Sequence, residues 1–395
     1  MTEVRDRLRD QPIPGEAGAA ARAWPVVEAA LSEREAPARH RPGRRAGARL
    51  ALAAALVGAG VLAALTPAGA EVGDWIEDRF ASDRGPARPA FAVLPEGGSV
   101  LALSRSGAYA IHPDGSSSWL GPFSAAGWSP RGLHVVGVNG SRLTAVDPLG
   151  TIKWTRIRPR RVHHPAWSTG AGFTVAYLEG SALRAIAGNG DPATDRRVRR
   201  GAASVAPAWR PRSDRILTYA TSRGAIATID VVSGRTLWRA LGPRQAAAGD
   251  VPAEAVAPRA LAWSRDGRRL VALTSRSVNV LDASGHVRRT IALAGVGREL
   301  ALHPSGRRAA VVVGRRVLDV RLAGAAPGAA EQLFQGDVDG LVWSQDGRRL
   351  LIGWRGAGQW LLLGPGGRIR PLDGVSRELG SAGGFPRVAG WCCAG

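Results

Sequence analysis

Residues 262–270 read AWSRDGRRL and residues 342–350 read VWSQDGRRL, so nearly the same nine-residue phrase occurs twice. Ser and Asp side chains accept hydrogen bonds from the backbone of a tight turn, and Gly permits the positive φ needed at its exit. An apolar run follows each phrase, beginning at Leu270 and at Leu350. Each phrase therefore predicts a strand that ends at Trp, a turn, and a second, antiparallel strand.

Weaker copies of this phrase recur along the chain, and the Trp of each copy, or the His of one, serves as its marker. The markers are Trp128, Trp167, Trp209, Trp263, His303 and Trp343. Successive markers are 39, 42, 54, 40 and 40 residues apart. A period of about 40 residues is typical of a four-stranded propeller blade. The sequence therefore predicts an all-β protein with a single closed β-propeller.

The two ends of the repeat region complete one blade. Residues 99–120 have the pattern of the later strands of a blade that lacks its Trp-bearing first strand, and residues 387–391 (RVAGW) supply such a strand. We expect this C-terminal strand to close the ring, because closure leaves no sheet edge exposed. Seven blades result; six is the alternative, if residues 91–120 form no blade. The long intervals at 241–257 and 373–386 predict surface loops.

The phrases at 263–270 and 343–350 resemble the repeats of TolB-like and WD40-like propellers, and the resemblance covers residues 91–393. The phrases at 147–154 and 230–238 are similar to the blade endings of quinoprotein-type propellers. These resemblances imply a fold rather than an activity, because propellers serve as scaffolds, sensors and enzymes.

An uncharged stretch of 21 residues, 50–70, precedes the repeats. As a helix it would extend about 31 Å, which matches the hydrocarbon thickness of a bilayer. Five arginines lie within eleven residues before it and four acids lie within eight residues after it. We therefore expect a signal anchor that crosses the cytoplasmic membrane once, with the N-terminus inside and the propeller outside. A cleaved signal peptide and a buried helix are the alternatives.

This topology divides the chain into a cytoplasmic tail with short helices and an Arg-rich tether (1–49), a transmembrane helix (50–70), a linker (71–90) and the propeller (91–395). In the tail, Trp24, Val27 and Leu31 form a stripe on a predicted short helix. The stripe would suit a cytoplasmic regulatory protein bound through residues 1–38, and a helix lying on the membrane surface is the alternative.

The order of tail, Arg-rich border, single span and propeller also resembles membrane-anchored propeller proteins of the bacterial cell envelope. Some of these are associated with the regulation of transcription through sigma factors. The tail of this chain lacks the His and Cys pattern of zinc-bearing anti-sigma domains, so the resemblance does not carry that mechanism over.

The formal net charge is +21, and Lys153 is the one lysine among 53 basic residues. The arginines are spread along the repeats, so we expect no nucleic-acid partner, and an anionic membrane surface or cell-wall polymer is the expected neighbour. Cys392 and Cys393 are adjacent and can build neither a disulfide framework nor a spaced zinc motif. We expect reduced thiols, with a vicinal disulfide or an intermolecular bridge as alternatives.

Arg160, Arg161, His163 and His164 are the candidate ligand-binding residues, because such a cluster suits a phosphate or carboxylate. The alternative is a solvated loop between blades. Acids recur along the blades, and we assign them to turn geometry, with a cation site as the alternative. These acids are Asp147, Asp230, Asp266, Asp282, Asp319 and Asp346.

No motif argues for catalysis. The chain has no zinc-helix motif, no nucleophile elbow and no phosphate-binding loop, and His112, His134 and His303 lack the spacing of a metal pair. We therefore expect no catalytic residue, no cofactor and no metal, and we expect the marker tryptophans to be core residues.

These expectations favour a non-enzymatic binding protein or sensor outside the membrane. Its partner would be a protein, a peptide or a cell-wall polymer, with a cytoplasmic regulator as a second partner. The alternatives are a propeller enzyme of the quinoprotein or hydrolase type and a purely structural envelope component. An enzyme would require several of the charged side chains named above to converge on the central channel.

Overall fold

The computed structural model describes residue 94 and residues 97–241, 257–324, 328–372, 374–379 and 384–393. Within these ranges the chain forms seven antiparallel sheets of four strands each and one short α-helix. The elements are β1 (Ser99–Ser104), β2 (Gly107–Ile111), β3 (Ser117–Gly121), β4 (Ala125–Trp128), β5 (Val135–Asn139), β6 (Arg142–Val146), β7 (Ile152–Ile157), β8 (Val162–Trp167), β9 (Thr174–Glu179), β10 (Ala182–Ala187), β11 (Arg196–Arg199), β12 (Ala208–Trp209), β13 (Ile216–Ala220), β14 (Ile226–Asp230), β15 (Thr236–Ala240), β16 (Ala260–Trp263), β17 (Arg269–Leu273), β18 (Ser277–Asp282), β19 (Val287–Ala292), β20 (Gly297–Leu302), β21 (Arg308–Val313), β22 (Arg316–Arg321), β23 (Ala330–Gln335), β24 (Val338–Trp343), β25 (Leu350–Trp354), β26 (Gln359–Leu363), β27 (Ile369–Leu372), α1 (Val375–Leu379) and β28 (Arg387–Cys392).

The seven sheets are the blades of a propeller. Blades 2 to 7 each consist of four consecutive strands, and blade 1 combines β28 with β1, β2 and β3. The first strand of each blade contacts the first strands of the neighbouring blades, so these strands surround the central channel. The structure confirms an all-β fold with seven blades, and the six-bladed alternative is wrong.

The C-terminal strand closes the ring, as the sequence predicts. Strand β28 pairs with β1 in antiparallel register, with Cys392 opposite Ser99 and Trp391 opposite Val100. Both Val388 and Trp391 are buried, and they pack with residues of blades 1 and 7. The two ends of the propeller are therefore held by a sheet ladder as well as by apolar packing.

The core lies between the blades. One cluster, for example, joins Val136 and Leu143 of blade 2 to Trp167 and Tyr177 of blade 3. The apolar runs that follow the markers form second strands that are buried on both sides, because each blade is covered by a neighbour on both of its faces. Burial of this apolar surface is the main stabilising contribution.

Three of the marker tryptophans, Trp209, Trp263 and Trp343, connect their blade to the one before it by an indole hydrogen bond. The indole N–H of Trp209 donates to the carbonyl oxygen of Ala166 at 3.0 Å. The indole of Trp343 donates in the same way to Ala301 at 3.1 Å. Trp167, Trp209 and Trp343 are buried, which confirms the predicted core role for these three markers, whereas Trp128 and Trp263 are partly buried.

Two outer tryptophans connect blades in the opposite direction. Trp154 donates to the carbonyl oxygen of Gly188 at 2.8 Å, and Trp238 donates to that of Ala283 at 3.0 Å. Both acceptors belong to the turn after the third strand of the following blade. These residues end the phrases at 147–154 and 230–238, which resemble quinoprotein-type blade endings. In this chain the final Trp of each phrase holds its blade against the next one.

The turn after the first strand has the predicted chemistry. Ser264 donates its hydroxyl to Asp266 at 2.5 Å and accepts the backbone N–H of Arg269 at 3.0 Å. Ser344 and Asp346 repeat this arrangement. The phrase recurs along the chain because its Ser and Asp build this turn.

Asp319 is an exception to the assignment of acids to turns, and that assignment is wrong for it. It lies inside strand β22 and is 8 % exposed. Its carboxylate accepts a hydrogen bond from Arg308 on the neighbouring strand at 3.0 Å. Burial raises its pKa, and Arg308 opposes this effect.

Residues 373–386 are not simply a surface loop, because they contain helix α1. Val375 and Leu379 are four residues apart, hence on one face of the helix, and both are fully buried. They pack with Trp360 and Leu372 of blade 7. The high Gly and Ser content of the segment predicted a loop, and a single apolar pair was too weak a signal to predict a helix. Most of the other predicted loop, 242–256, lies outside the described residues.

Cys392 and Cys393 form a disulfide, so the expectation of reduced thiols is wrong. Cys392 is 5 % exposed and belongs to β28, whereas a frayed end was expected. The two sulfur atoms lie 3.6 Å from the carbonyl oxygens of Ser129 and Pro130, in the first turn of blade 2.

The described part of the chain contains no helix with the length and apolar character needed to cross a bilayer. The predicted tail (1–49) with Trp24, Val27 and Leu31, the predicted transmembrane helix (50–70) and the predicted linker (71–90) lie outside the described residues.

Candidate functional site

The ring has two different faces, because all first strands run in the same direction along the channel. We call the face at which they begin the upper face, and the face at which they end, next to the markers, the lower face. In an antiparallel blade, the loops between blades and the turns between second and third strands then lie on the upper face.

Four titratable side chains lie near the upper-face end of the first strands, where Arg387 acts electrostatically on both His164 and Glu299. They are His164 of β8, Glu299 of β20, Asp339 of β24 and Arg387 of β28, and we call them the channel cluster. Glu299 accepts a hydrogen bond from the backbone N–H of Gly340 at 3.1 Å, which links blades 6 and 7. The first strands of three adjacent blades thus bring opposite charges together at one end of the channel.

Gly340 permits this close approach. Its φ is +100°, and a Cβ at this position would lie 2.5 Å from the carbonyl oxygen of Val388 and 3.1 Å from Cγ of Arg387. A larger residue would push β28 away from β24. Arg387 could not then approach Glu299 as it does.

Burial strongly influences the electrostatics of the cluster. Burial raises the pKa of Glu299, Arg387 opposes the shift, and the like charge of Asp339 adds to it. Burial also lowers the pKa of His164, and the neighbouring His163 and Arg387 lower it further. At neutral pH the imidazole of His164 is therefore uncharged, and it can either donate or accept a hydrogen bond.

A β-bulge separates the two adjacent histidines. The register of β8 shifts between His163 and Ala166, and His164 has a φ of +53°. His163 Nε2 lies 2.9 Å from the carbonyl oxygen of Gly180, whereas His164 Nε2 lies 3.2 Å from the hydroxyl of Ser204. The bulge thus directs the two rings to different partners.

A cavity of about 860 Å³ opens beside the channel cluster on the upper face. Asp339 and Arg387 line it together with Arg105, Arg355 and Phe385. Arg355 pairs with Asp339 at 3.8 Å. This volume is within the range of ligand-binding clefts, and its lining combines apolar and charged groups.

A second upper-face cavity, of about 500 Å³, lies between blades 2 and 3, and we call it the Arg cavity. Five arginines and one glutamate are among its lining residues: Arg158, Arg160, Glu179, Arg184, Arg197 and Arg200. It contains one of the four ligand-binding residues expected from the sequence, Arg160. Arg161 is exposed beside it. The predicted cluster is therefore divided between the Arg cavity and the channel mouth.

The lower face has a cavity of about 750 Å³ at the other end of the channel. It is bordered by several markers, including Trp128 and Trp263, and by the disulfide residue Cys392. The indole N–H of Trp263 already donates to the hydroxyl of Thr218 at 3.1 Å. Trp263 therefore links blade 5 to blade 4.

The lower-face acids serve their own turns. Asp282 accepts the backbone N–H groups of Ser284 and His286 and pairs with Arg288. Burial alone would raise its pKa, but these partners hold the pKa at about 2. Asp147 likewise accepts two backbone N–H groups of its turn and pairs with Lys153 at 3.0 Å.

Within the described ranges, no group of three or more His, Cys, Asp or Glu residues could hold a metal ion. His112 bonds to the hydroxyl of Ser118, and His134 stacks on Trp167. His303 takes the place of a marker Trp and bonds to the carbonyl oxygen of Gly347 in the next blade. Each of these histidines thus has a local packing partner.

Sequence reasoning missed Glu299, Asp339 and Arg387. A signal was present, because each lies four residues before the marker of its own strand, as His163 does before Trp167. Arg259 lies four residues before Trp263 in the same way, so five blades carry a titratable residue at this repeat position. Equivalent repeat positions lie around one circle in a closed ring. Titratable residues that recur four positions before the markers therefore predict a site at the channel.

Comparison with known proteins bears on the fold. No protein-family model matches the sequence, and no curated protein matches it. Among solved structures, the chain is similar to the β-propeller domain of Cps50 (Swd1) from Myceliophteria thermophila, with a TM-score of 0.51 and 15 % identity over 63 % of this chain and 86 % of that chain. The fold is a WD40-like β-propeller. At this level of identity the likeness establishes the fold alone, which is a scaffold suited to protein binding.

Proposed function

We propose that this chain is a membrane-anchored, extracytoplasmic binding protein that acts without catalysis, as a scaffold or sensor. Its propeller binds a protein or an anionic cell-wall polymer through the upper face. Its cytoplasmic tail, residues 1–38, contacts a regulatory protein inside the cell.

The observation that carries this proposal is the contrast between the two faces. On the lower face, Asp266, Asp282 and Asp346 are engaged in turn geometry. On the upper face, two cavities carry charged groups that the turns do not use, Arg387 and Arg160 among them. Charged and polar groups on the loops of a rigid scaffold are characteristic of binding surfaces.

Sequence features support the membrane anchor. The uncharged stretch 50–70 and the arginines before it favour one span with the N-terminus inside. Trypsin added to spheroplasts should then cut the linker at Arg79 or Arg84 and release the propeller. Protection of the propeller until the cells are lysed would contradict this topology.

The link to a cytoplasmic regulator is tested by crosslinked purification from membranes. The full chain should capture a cytoplasmic protein that a variant lacking residues 1–38 does not capture. Identical partners for both forms, all of them outside the membrane, would eliminate signalling and leave a tethered envelope scaffold.

The channel cluster is the observation that favours a second candidate, a propeller hydrolase. Glu299 is a buried carboxyl group with a raised pKa, and both Arg387 and Asp339 act on it, which is the composition of a general acid site. Glu299 is already bonded to the backbone of blade 7, which favours a structural role. Hydrolysis of chromogenic esters or glycosides that disappears in Glu299→Gln and persists in Asp282→Asn would support the enzyme instead.

A further inference from the structure

The Arg cavity contains an ion-pair network that is neutral in itself. Arg158 reaches from blade 2 to Glu179 at 3.4 Å and to Asp195 at 2.6 Å. Arg184 pairs with the same two carboxylates, at 3.3 and 3.0 Å. Two arginines thus share two buried acids, and the hydroxyl of Tyr177 also donates to Asp195, at 2.8 Å.

The positive charges of the other three arginines of the cavity are not balanced by carboxylates in this way. The side chains of Arg160, Arg197 and Arg200 make no hydrogen bond or ion pair with any residue that the structure describes. Glu179 and Asp195 are already engaged by Arg158 and Arg184. The cavity therefore has a surplus of three positive charges.

The register of blade 3 adds repulsion between two of the arginines that line the cavity. Arg197 lies directly opposite Arg184 in the β10–β11 ladder. Like charges at such a position destabilise a sheet. An anion held by both guanidinium groups beside the sheet would remove the repulsion, and arginine side chains bind oxyanions through paired N–H donors.

The wall of the cavity is also prepared for a ligand. Arg158 and Arg184 are each fixed by two carboxylates, and Arg184 also donates to the hydroxyl of Tyr177 at 3.1 Å. The wall behind the three free arginines is therefore rigid, so only the free arginines need to become ordered when an anion binds. The free arginines come from three different segments, the loop before β8, strand β11 and the loop after it.

We infer that the Arg cavity is a binding site for phosphate-type oxyanions, with Arg160, Arg197 and Arg200 as the direct contacts. A tetrahedral phosphate offers oxygens in several directions, which suits donors from three segments better than a planar carboxylate does. About 500 Å³ accommodates more than one phosphate group, so a short phosphate chain or a phosphodiester polymer segment is the expected ligand. The inference rests on the proposed function only in treating the upper face as the binding face.

The test uses the full chain in neutral detergent, titrated with inorganic triphosphate by calorimetry. Arg197→Gln and Arg200→Gln together should weaken binding by at least about tenfold, because two charge-assisted contacts are lost. The matched control is Arg235→Gln with Arg321→Gln, which removes the same charge from lower-face positions. The control should bind as the unmodified chain does. The control should keep the thermal midpoint of the unmodified chain, because neither substituted side chain has a partner among the described residues. The variant with Arg197→Gln should melt at the same temperature or higher, because it loses the repulsion between Arg197 and Arg184.

Equal weakening in both double variants would show diffuse attraction to a basic protein and overturn the site. Citrate binding as tight as triphosphate binding would overturn the assignment to phosphate. The titration requires neither membrane topology nor a protein partner. If triphosphate fails to bind while upper-face crosslinks form in cells, the phosphate site is refuted and the proposed function stands.

Discussion

Removal of the closing tryptophan should cost much of the stability of the propeller. Trp391 is 9 % exposed and packs between blades 1 and 7. Burial of about 230 Å² at about 25 cal/mol per Å² would give an upper value of about 6 kcal/mol. Trp→Ala substitutions in cores cost about 3–5 kcal/mol, because the site partly collapses. We expect Trp391→Ala to lower the free energy of unfolding by about 4 kcal/mol.

Urea denaturation of the full chain, followed by circular dichroism, measures this loss. Leu149→Ala is the control: its side chain is 70 % exposed, so the expected change is within about 0.5 kcal/mol. Trp391→Phe should give an intermediate loss and provides a measurement if the Ala variant does not fold. A loss below about 1 kcal/mol for Trp391→Ala would refute the reasoning, because the closing strand would then not hold the ring.

Three further predictions concern single residues. Because the pKa of Glu299 is raised, the folded chain holds its proton more tightly than the unfolded chain. The wild type should therefore lose stability relative to Glu299→Gln as the pH rises above about 4.5, and urea midpoints that differ equally at every pH would contradict this. Asp282, with its pKa of about 2, stabilises the fold above its unfolded pKa and loses this effect as the pH falls towards 2. Asp282→Asn should therefore be less stable than wild type at pH 7 and equal to it near pH 2, and a constant difference in thermal midpoint would argue against the turn assignment. Gly340→Ala should lower stability by about 1–3 kcal/mol, since its Cβ would collide with Val388, and an unchanged urea midpoint would refute the predicted clash.

The architecture could be predicted because the repeat encodes it locally. Each Ser-x-Asp-Gly turn has its own hydrogen bonds, so the phrase at 263–267 reports a hairpin wherever it occurs. The closing strand was predictable because Trp391 repeats the marker at the far end of the chain. Helix α1 was not, because a two-residue apolar pair in a Gly-rich segment gives no clear period.

The site was less predictable because it depends on closure of the ring. Glu299 and Arg387 are 88 positions apart in the sequence and meet only when blades 6, 7 and 1 surround the channel. The pairing of Arg158 with Asp195 likewise crosses between blades. Adjacent residues were a poor guide to shared function: the bulge at His163 separates side chains that the sequence places together.

The most direct test of upper-face binding is site-specific photocrosslinking in living cells. A photoreactive amino acid at Asn139, which lines the upper-face cavity beside the channel cluster, should yield a discrete crosslinked product with an extracytoplasmic protein or wall polymer. The same group at Leu149, in an exposed lower-face turn, should yield none. Crosslinks from Leu149 alone, or equal crosslinks from both positions, would contradict the account.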